Sequence, residues 1–280
     1  MVSMEKRKLS LAAFDLDGTL LDDKKNIPPE NLRLLRLAAE RGVLLVPATG
    51  RIPSGMPEEL MRLPIRYGLL VNGAMLYDFE RRETVARAEI PNARALEIID
   101  FMDTLPISYD CYFHAWGYID REKLARVEEY IQDPGILRLV HTLRTPVDNL
   151  RQYLAEQGDS VQKLQMYFRP ETFPLRDQLL RELPARWPDI SVTSSLPMNI
   201  ELNAASANKG DALLTLCAQL GIDPAETVAF GDGSNDSSML RAAGIGVAMA
   251  NAVDAVKAVA DIVTASNNDS GVAKVLETML

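Results

Sequence analysis

The sequence predicts an α/β protein: a Rossmann-like core built on a parallel sheet, interrupted by an inserted α+β domain. Three observations lead there. Both ends of the 280-residue chain alternate short apolar runs with segments of helical periodicity, the pattern of βαβ units. Several of those runs are followed at once by an acidic or polar cluster. The middle changes to alternating apolar and polar residues, which suits an antiparallel sheet with helices on one side and a wet face on the other. The expected division is a core of residues 1–82 and 198–280 around an insert of residues 83–197.

The elements follow in order. KLSLAAF reads as a buried strand that runs into FDLDGTL. After the polar loop LDDKKNIPP, the segment PPENLRLLRLAAERG has proline at its start, apolar residues at helical spacing and Gly42 as a stop. VLLVPAT is a second buried strand, ending at Thr49-Gly50-Arg51. PSGMPEELMRLP is a helix broken up by prolines, and RYGLLVNGAMLYD predicts a hairpin about Asn72-Gly73. In the insert, helical patterns at 92–105, 121–131, 147–156 and 173–183 are separated by SYDCYFHAWGYID, VQKLQMYFRP and ISVTSS. The core resumes with MNIELN as a short strand and NKGDALLTLCAQLG as a helix closed by Gly221. TVAFGDGSND is an apolar strand meeting a second acidic cluster. DSSMLRAAG, IGVAMANA, VDAVKAVA, DIVT and DSGVAKVLETML then read as helix, strand with loop, helix, strand and closing helix.

Hydrophobic residues make up 47% of the chain, enough for a packed core. The formal charge of −9 argues against a general nucleic-acid binder, which needs a basic face. It leaves a phosphorylated metabolite open, because a local cation can dominate a pocket. No stretch is long enough to cross a membrane. The basic N-terminus precedes an apolar run too short for a secretory leader. Cys111 and Cys217 show neither a disulfide framework nor zinc spacing, which fits a reducing cytoplasm. His114 and His141 likewise have no ligand spacing. The aromatics Tyr109, Tyr112, Phe113, Trp116 and Tyr118 alternate as strand residues and are expected to pack.

Asp15 and Asp17 raise the chemical question. Residues two apart in extended backbone point the same way, so the pair repels itself unless a cation or a proton intervenes. Taken singly, each cluster has a plain structural reading. Asp15 and Asp17 can cap a helix, Thr49-Gly50-Arg51 can be a turn, Lys209 a solvated helix start, and Asp232-Gly233 a turn dipeptide. Their shared position just after core strands is what joins them, because ligands of open parallel sheets bind at the carboxyl ends of the strands.

Taken together and in this order, DLDGTLLD, ATGR, NKG and GDGSND followed by ML resemble the four signatures of haloacid dehalogenase-like (HAD) phosphatases. The strand end VNGA and the tail GVAMANA resemble the Cof-like subgroup, which carries a large α/β cap between the second and third signatures. Ala250 stands where that subgroup often has glycine, and Ser234 where many relatives carry an acid. The resemblance implies a phosphatase of small phosphomonoesters, sugar phosphates or similar metabolites, working with Mg²⁺ through an aspartyl-phosphate. It makes Asp15 the nucleophile and Asp17 the acid and base. The Asp15 and Asp232 carboxylates and the Asp17 backbone carbonyl would hold the metal, with Asp236 behind them. Thr49 would offer its hydroxyl and N–H to the phosphoryl oxygens, and Lys209 its charge. Gly18 would let the backbone turn close to the phosphate. Gly50, Arg51 and Asn235 would touch substrate. The cap would close over the core and choose the leaving group, with Arg169 and His114 as candidates to face it.

The physics of these roles is coherent. Phosphate monoesters hydrolyse extremely slowly unaided, a carboxylate nucleophile splits the reaction into two displacements, and Mg²⁺ takes hard oxygen ligands. A phosphomutase or phosphotransferase on the same scaffold, and a non-catalytic metabolite-binding regulator, are the other readings of these motifs.

Overall fold

The computed structural model describes residues 8–280. The first seven residues of the expected core segment, where the leader-peptide reading begins, lie outside them. From the N-terminus the strands are β1 (Leu11–Phe14), β2 (Leu44–Pro47), β3 (Tyr67–Leu70), β4 (Met75–Asp78) and β5 (Glu83–Arg87). The middle of the chain supplies β6 (Ser108–Phe113), β7 (Trp116–Asp120), β8 (Arg144–Val147), β9 (Lys163–Tyr167), β10 (Ile190–Thr193) and β11 (Asn199–Ala204). The C-terminal part adds β12 (Thr227–Gly231), β13 (Ile245–Ala248) and β14 (Ile262–Val263). No helix among the described residues is long and apolar enough to cross a membrane.

The chain forms two compact units. One comprises the described residues up to Arg51, Met56–Arg87 and Asn208–Leu280; the other comprises Ile52–Gly55 and Ala88–Ala207. The first is built on a parallel sheet in the order β14-β13-β12-β1-β2. β1 lies between β12 and β2, with Leu11 opposite Thr227 and Leu44. Its central strands β1 and β12 are buried on both faces, as the middle of a parallel sheet requires. Ala12 and Phe14 face a layer with Leu34, Leu35 and Ala38 of the helix Pro29–Glu40, and Val272 and Leu276 of the helix Gly271–Met279. Leu11 and Ala13 face the opposite layer, with Leu213 and Leu216 of the helix Lys209–Leu220, and Met239 and Leu240 of the helix Ser237–Ala242. The strand order reverses at β1 and β12, so their carboxyl ends flank the switch point where such sheets bind ligands. β3, β4 and β5 form an antiparallel sheet, tied to β2 through the Ala48–Leu69 bridge.

The second unit carries a six-stranded sheet in the order β10-β11-β9-β6-β7-β8, antiparallel except for the β7–β8 pair. Four expectations change here. MNIELN is β11 and pairs with β9 and β10, so it belongs to this sheet and not to the core. β5 pairs with β4 in the core unit. The units therefore divide after residues 87 and 207 rather than 82 and 197. The expected wet face is buried: Ser108, Asp110, Lys163, Gln165, Asn199, Glu201 and Asn203 are all at most 5% exposed. Ion pairs satisfy much of it, Arg144 Nε with Asp110 Oδ2 at 2.6 Å and Lys163 Nζ with Glu201 Oε1 at 3.0 Å. Finally, the expected helix 121–131 is a short helix Arg121–Leu124 and a 3₁₀ turn Val127–Glu129, and a further helix spans Pro134–Leu143.

Candidate active site

β1 delivers Asp15 into a turn that β12 buttresses, since the Asp15 N–H donates to the Phe230 carbonyl at 3.0 Å. Three residues on, Gly18 adopts φ +86°, and a Cβ there would lie 2.3 Å from Asp232 Oδ2. Only glycine accepts both that backbone and that approach. Its close neighbour is the Asp232 carboxylate just after β12. Thr19, fully buried, donates its hydroxyl to Asp232 Oδ1 at 2.7 Å.

Lys209 opens its helix directly after Asn208, whose Oδ1 caps the helix by accepting from the Asp211 N–H at 2.8 Å. Gly73, at φ +91°, packs so closely that a Cβ there would lie 2.3 Å from the Asn208 carbonyl oxygen. So anchored, the fully buried Lys209 ammonium donates to Asp15 Oδ1 at 2.7 Å and to Asp236 Oδ1 at 2.5 Å. The other Asp236 oxygen accepts the N–H groups of Asp232 and Gly233, each at 2.9 Å. Asp236 thereby fixes the loop after β12 and Lys209 together.

Asp15, Asp232 and Asp236 each present an oxygen, and these oxygens lie within 4.8 Å of one another. Burial raises the Asp15 carboxyl well above its ordinary value, and Asp236 and Asp232 push it further against the pull of Lys209. Burial, with the nearby Asp236, raises Asp232 to about 6. Burial alone would lower Lys209, but Asp15 and Asp236 hold its ammonium protonated above the usual range. Three carboxylates facing one ammonium carry two surplus negative charges. A dication offsets that surplus, and an all-oxygen set fits a hard ion such as Mg²⁺.

The Asp17 side chain stands apart from that cluster. Arg51 Nε donates to Asp17 Oδ2 at 2.9 Å and Arg51 NH2 to Oδ1 at 2.8 Å, while Lys25 Nζ reaches Oδ1 at 2.9 Å. Burial would raise its carboxyl, but Arg51 and then Lys25 outweigh this and lower it. Arg51, expected at the substrate, is thus held against the second carboxylate. The Thr49 N–H is committed to the Leu69 carbonyl at 2.8 Å, so it cannot serve the phosphoryl group as expected. The Thr49 hydroxyl accepts from the Arg51 N–H at 3.3 Å. Asn235 donates to Asn72 Oδ1 at 3.1 Å, and Asn72 holds φ +61° after donating its N–H to Thr49. Gly50 lies between Thr49 and Arg51 in the loop after β2.

The geometry thus gathers Asp15, Lys209, Asp232 and Asp236 at one strand-end crevice, with Asp17 beside them. A profile of haloacid dehalogenase-like hydrolases matches residues 12–276. The chain belongs to this family. Within the haloacid dehalogenase-like hydrolases it falls in the Cof-like group, and it is a hydrolase of phosphoric monoesters. Phosphatase YwpJ of Bacillus subtilis is 32% identical over 294 aligned residues, covering 97% of this chain and all of that protein. The 5-amino-6-(5-phospho-D-ribitylamino)uracil phosphatase YcsE of B. subtilis is 30% identical over 280 residues, covering 98% and 97%. A solved haloacid dehalogenase-like hydrolase from B. subtilis superposes with a TM-score of 0.81 at 30% identity, covering 97% of this chain and 100% of that one.

Sequence reasoning missed Lys25, Thr19 and Asn72. Thr19 was legible within the DGT signature of the family. Lys25 carried no signal, being one of two lysines in a polar loop. In the second unit, neither leaving-group candidate is unengaged. Arg169 pairs with Glu129 over the Tyr130 ring, and His114 Nε2 lies 3.2 Å from Asp159 Oδ2.

Proposed function

We propose that this hydrolase is an Mg²⁺-dependent phosphatase of small phosphomonoesters, sugar phosphates or comparable metabolites, acting through an aspartyl-phosphate on Asp15. The observation that carries the reading is the division of labour between neighbouring carboxylates. Asp15 sits among buried acids and Lys209, whereas Asp17 sits with Arg51 and Lys25. Asp15 and Asp232, with the Asp17 backbone carbonyl, would hold the ion, and Asp236 would brace them. Bound there, Mg²⁺ supplies charge neutralisation for the phosphoryl oxygens.

In the first displacement Asp15 forms a bond to phosphorus as the bond to the leaving oxygen breaks, and Asp17 gives that oxygen a proton. In the second, Asp17 takes a proton from the water that releases phosphate and restores Asp15. Lys209 offsets the negative charge throughout. Arg51 and Lys25 favour ionised Asp17, the form the second step requires. For the first step, Arg51 has to turn from Asp17 toward the phosphate, with the Thr49 hydroxyl, Gly50 and Asn235 at the same rim. The insert, expected at 83–197, is proposed to select the leaving group. YcsE is named for a phosphorylated ribitylaminouracil, an example of the metabolite class we infer. The buried, unbridged thiols Cys111 and Cys217 suit a reducing cytoplasm.

The test is phosphate release from a panel of phosphorylated metabolites and p-nitrophenyl phosphate. Turnover should require Mg²⁺ and fall at least about a thousandfold in Asp15→Asn, with the melting temperature kept. Turnover that survives Asp15→Asn overturns the assignment.

A further inference from the structure

Three side-chain amides from separate parts of the core unit close on the loop that carries Asp15 and Asp17. Asn251 Nδ2 donates to the Gly18 carbonyl at 2.8 Å, Asn31 Nδ2 to that of Leu20 at 3.2 Å, and Asn267 Nδ2 to that of Leu21 at 3.0 Å. The oxygens of two of them are engaged in turn. The Asn267 N–H donates to Asn251 Oδ1 at 3.0 Å, and the Ala273 N–H to Asn31 Oδ1 at 3.0 Å. Asn31 and Asn267 are buried, where polar groups need partners in any case.

Asn251 is exposed. Water would satisfy its amide and the Gly18 carbonyl at little cost, so burial does not account for the bond. Its effect is to set the peptide that follows Gly18. A glycine in the left-handed region lets that peptide rotate easily. The next residue, Thr19, donates to Asp232, and Asp17 lies immediately before. Rotation there would shift both against Asp15.

We propose that Asn251 is a positioning residue of the phosphatase. By holding the Gly18 carbonyl, its amide fixes the loop of Asp15 and Asp17 in the geometry of phosphoryl transfer. The proposal rests on the reading of Asp15 as nucleophile. Small misplacements of reacting groups cost up to about a hundredfold in rate.

Asn251→Asp tests it, being isosteric and keeping the oxygen that accepts from Asn267 while losing the donor. Asn251→Ala removes both. The readouts are kcat and KM on p-nitrophenyl phosphate with Mg²⁺, and hydrogen exchange of the peptide spanning residues 15–21. Both variants should lose roughly tenfold or more in kcat with KM changed less than about threefold. In Asn251→Asp exchange should quicken within 15–21 and stay unchanged elsewhere; in Asn251→Ala it should quicken there and at the Asn267 amide, which loses its acceptor. An unaltered kcat in Asn251→Asp, or exchange that rises throughout the chain, overturns the proposal. If the parent protein itself fails to release p-nitrophenol, the phosphatase reading fails instead. The exchange result then decides the role of Asn251 alone, and unchanged exchange in 15–21 overturns it.

Discussion

Asp232 shows how a single residue records what the site is built to hold. Its carboxyl is raised from 3.8 to about 6, chiefly by burial and then by Asp236. The folded state therefore binds a proton on Asp232 that the unfolded chain has released across that interval. The associated stability is fully present below about 3.8 and is lost as the pH rises through about 6. Relative to Asp232→Asn, the metal-free parent should lose on the order of 2–3 kcal/mol over this window. Urea unfolding from pH 4 to 7.5 in chelator measures it. Mg²⁺ added at pH 7.5 should restore stability to the parent and not to the variant. Equal pH profiles for the two proteins would show that burial and Asp236 do not raise Asp232.

At the scale of elements, the insert's sheet departs most from what its sequence suggested. Its strands alternate, and alternation ordinarily marks one solvated face, but β6, β9 and β11 are buried on both. Asp110 stays buried because Arg144 and the Tyr167 hydroxyl, at 2.8 Å, take one of its oxygens. Arg144 is itself bonded to the Tyr112 hydroxyl at 2.7 Å. Arg144→Met leaves Asp110 buried without its cation and should destabilise the protein by about 3–5 kcal/mol. Adding Asp110→Leu should return part of that loss, since removing both charges ends the uncompensated burial. Thermal or urea unfolding of the single and double variants reads this out. A double variant no more stable than Arg144→Met would contradict it. Long-range pairing of this kind leaves no mark in local sequence. The helix Pro134–Leu143, by contrast, was missed although its signals are local: Asp133 caps it, accepting from the Ile136 N–H at 2.9 Å, and Pro134 opens it. The strand β11 was misassigned for a different reason. An apolar six-residue run reads alike in either sheet, and only its partners distinguish them.

For the molecule as a whole, the core is discontinuous in sequence, yet the convergence of Asp15, Lys209, Asp232 and Asp236 was readable. The strand order places residues some 200 positions apart at one sheet edge, as Lys209 Nζ on Asp15 Oδ1 shows. Position after a buried strand was the signal, and it is set by sheet topology rather than by local preference. The parts that stayed hidden depend on side-chain direction. Arg51 turned onto Asp17, the Thr49 N–H paired within the backbone, and Lys25 arrived from a loop without pattern.

The central claim, that Asp15 accepts the phosphoryl group and Asp17 then activates water, is met most directly by rapid mixing of Asp17→Asn with p-nitrophenyl phosphate and Mg²⁺. p-Nitrophenol leaves without an acid, whereas hydrolysis of the intermediate lacks its base. The account predicts a stoichiometric burst of p-nitrophenolate and a phosphoryl adduct on the peptide bearing Asp15 after acid quench. No burst, or an adduct on any other residue, from a variant whose parent turns over normally would contradict it.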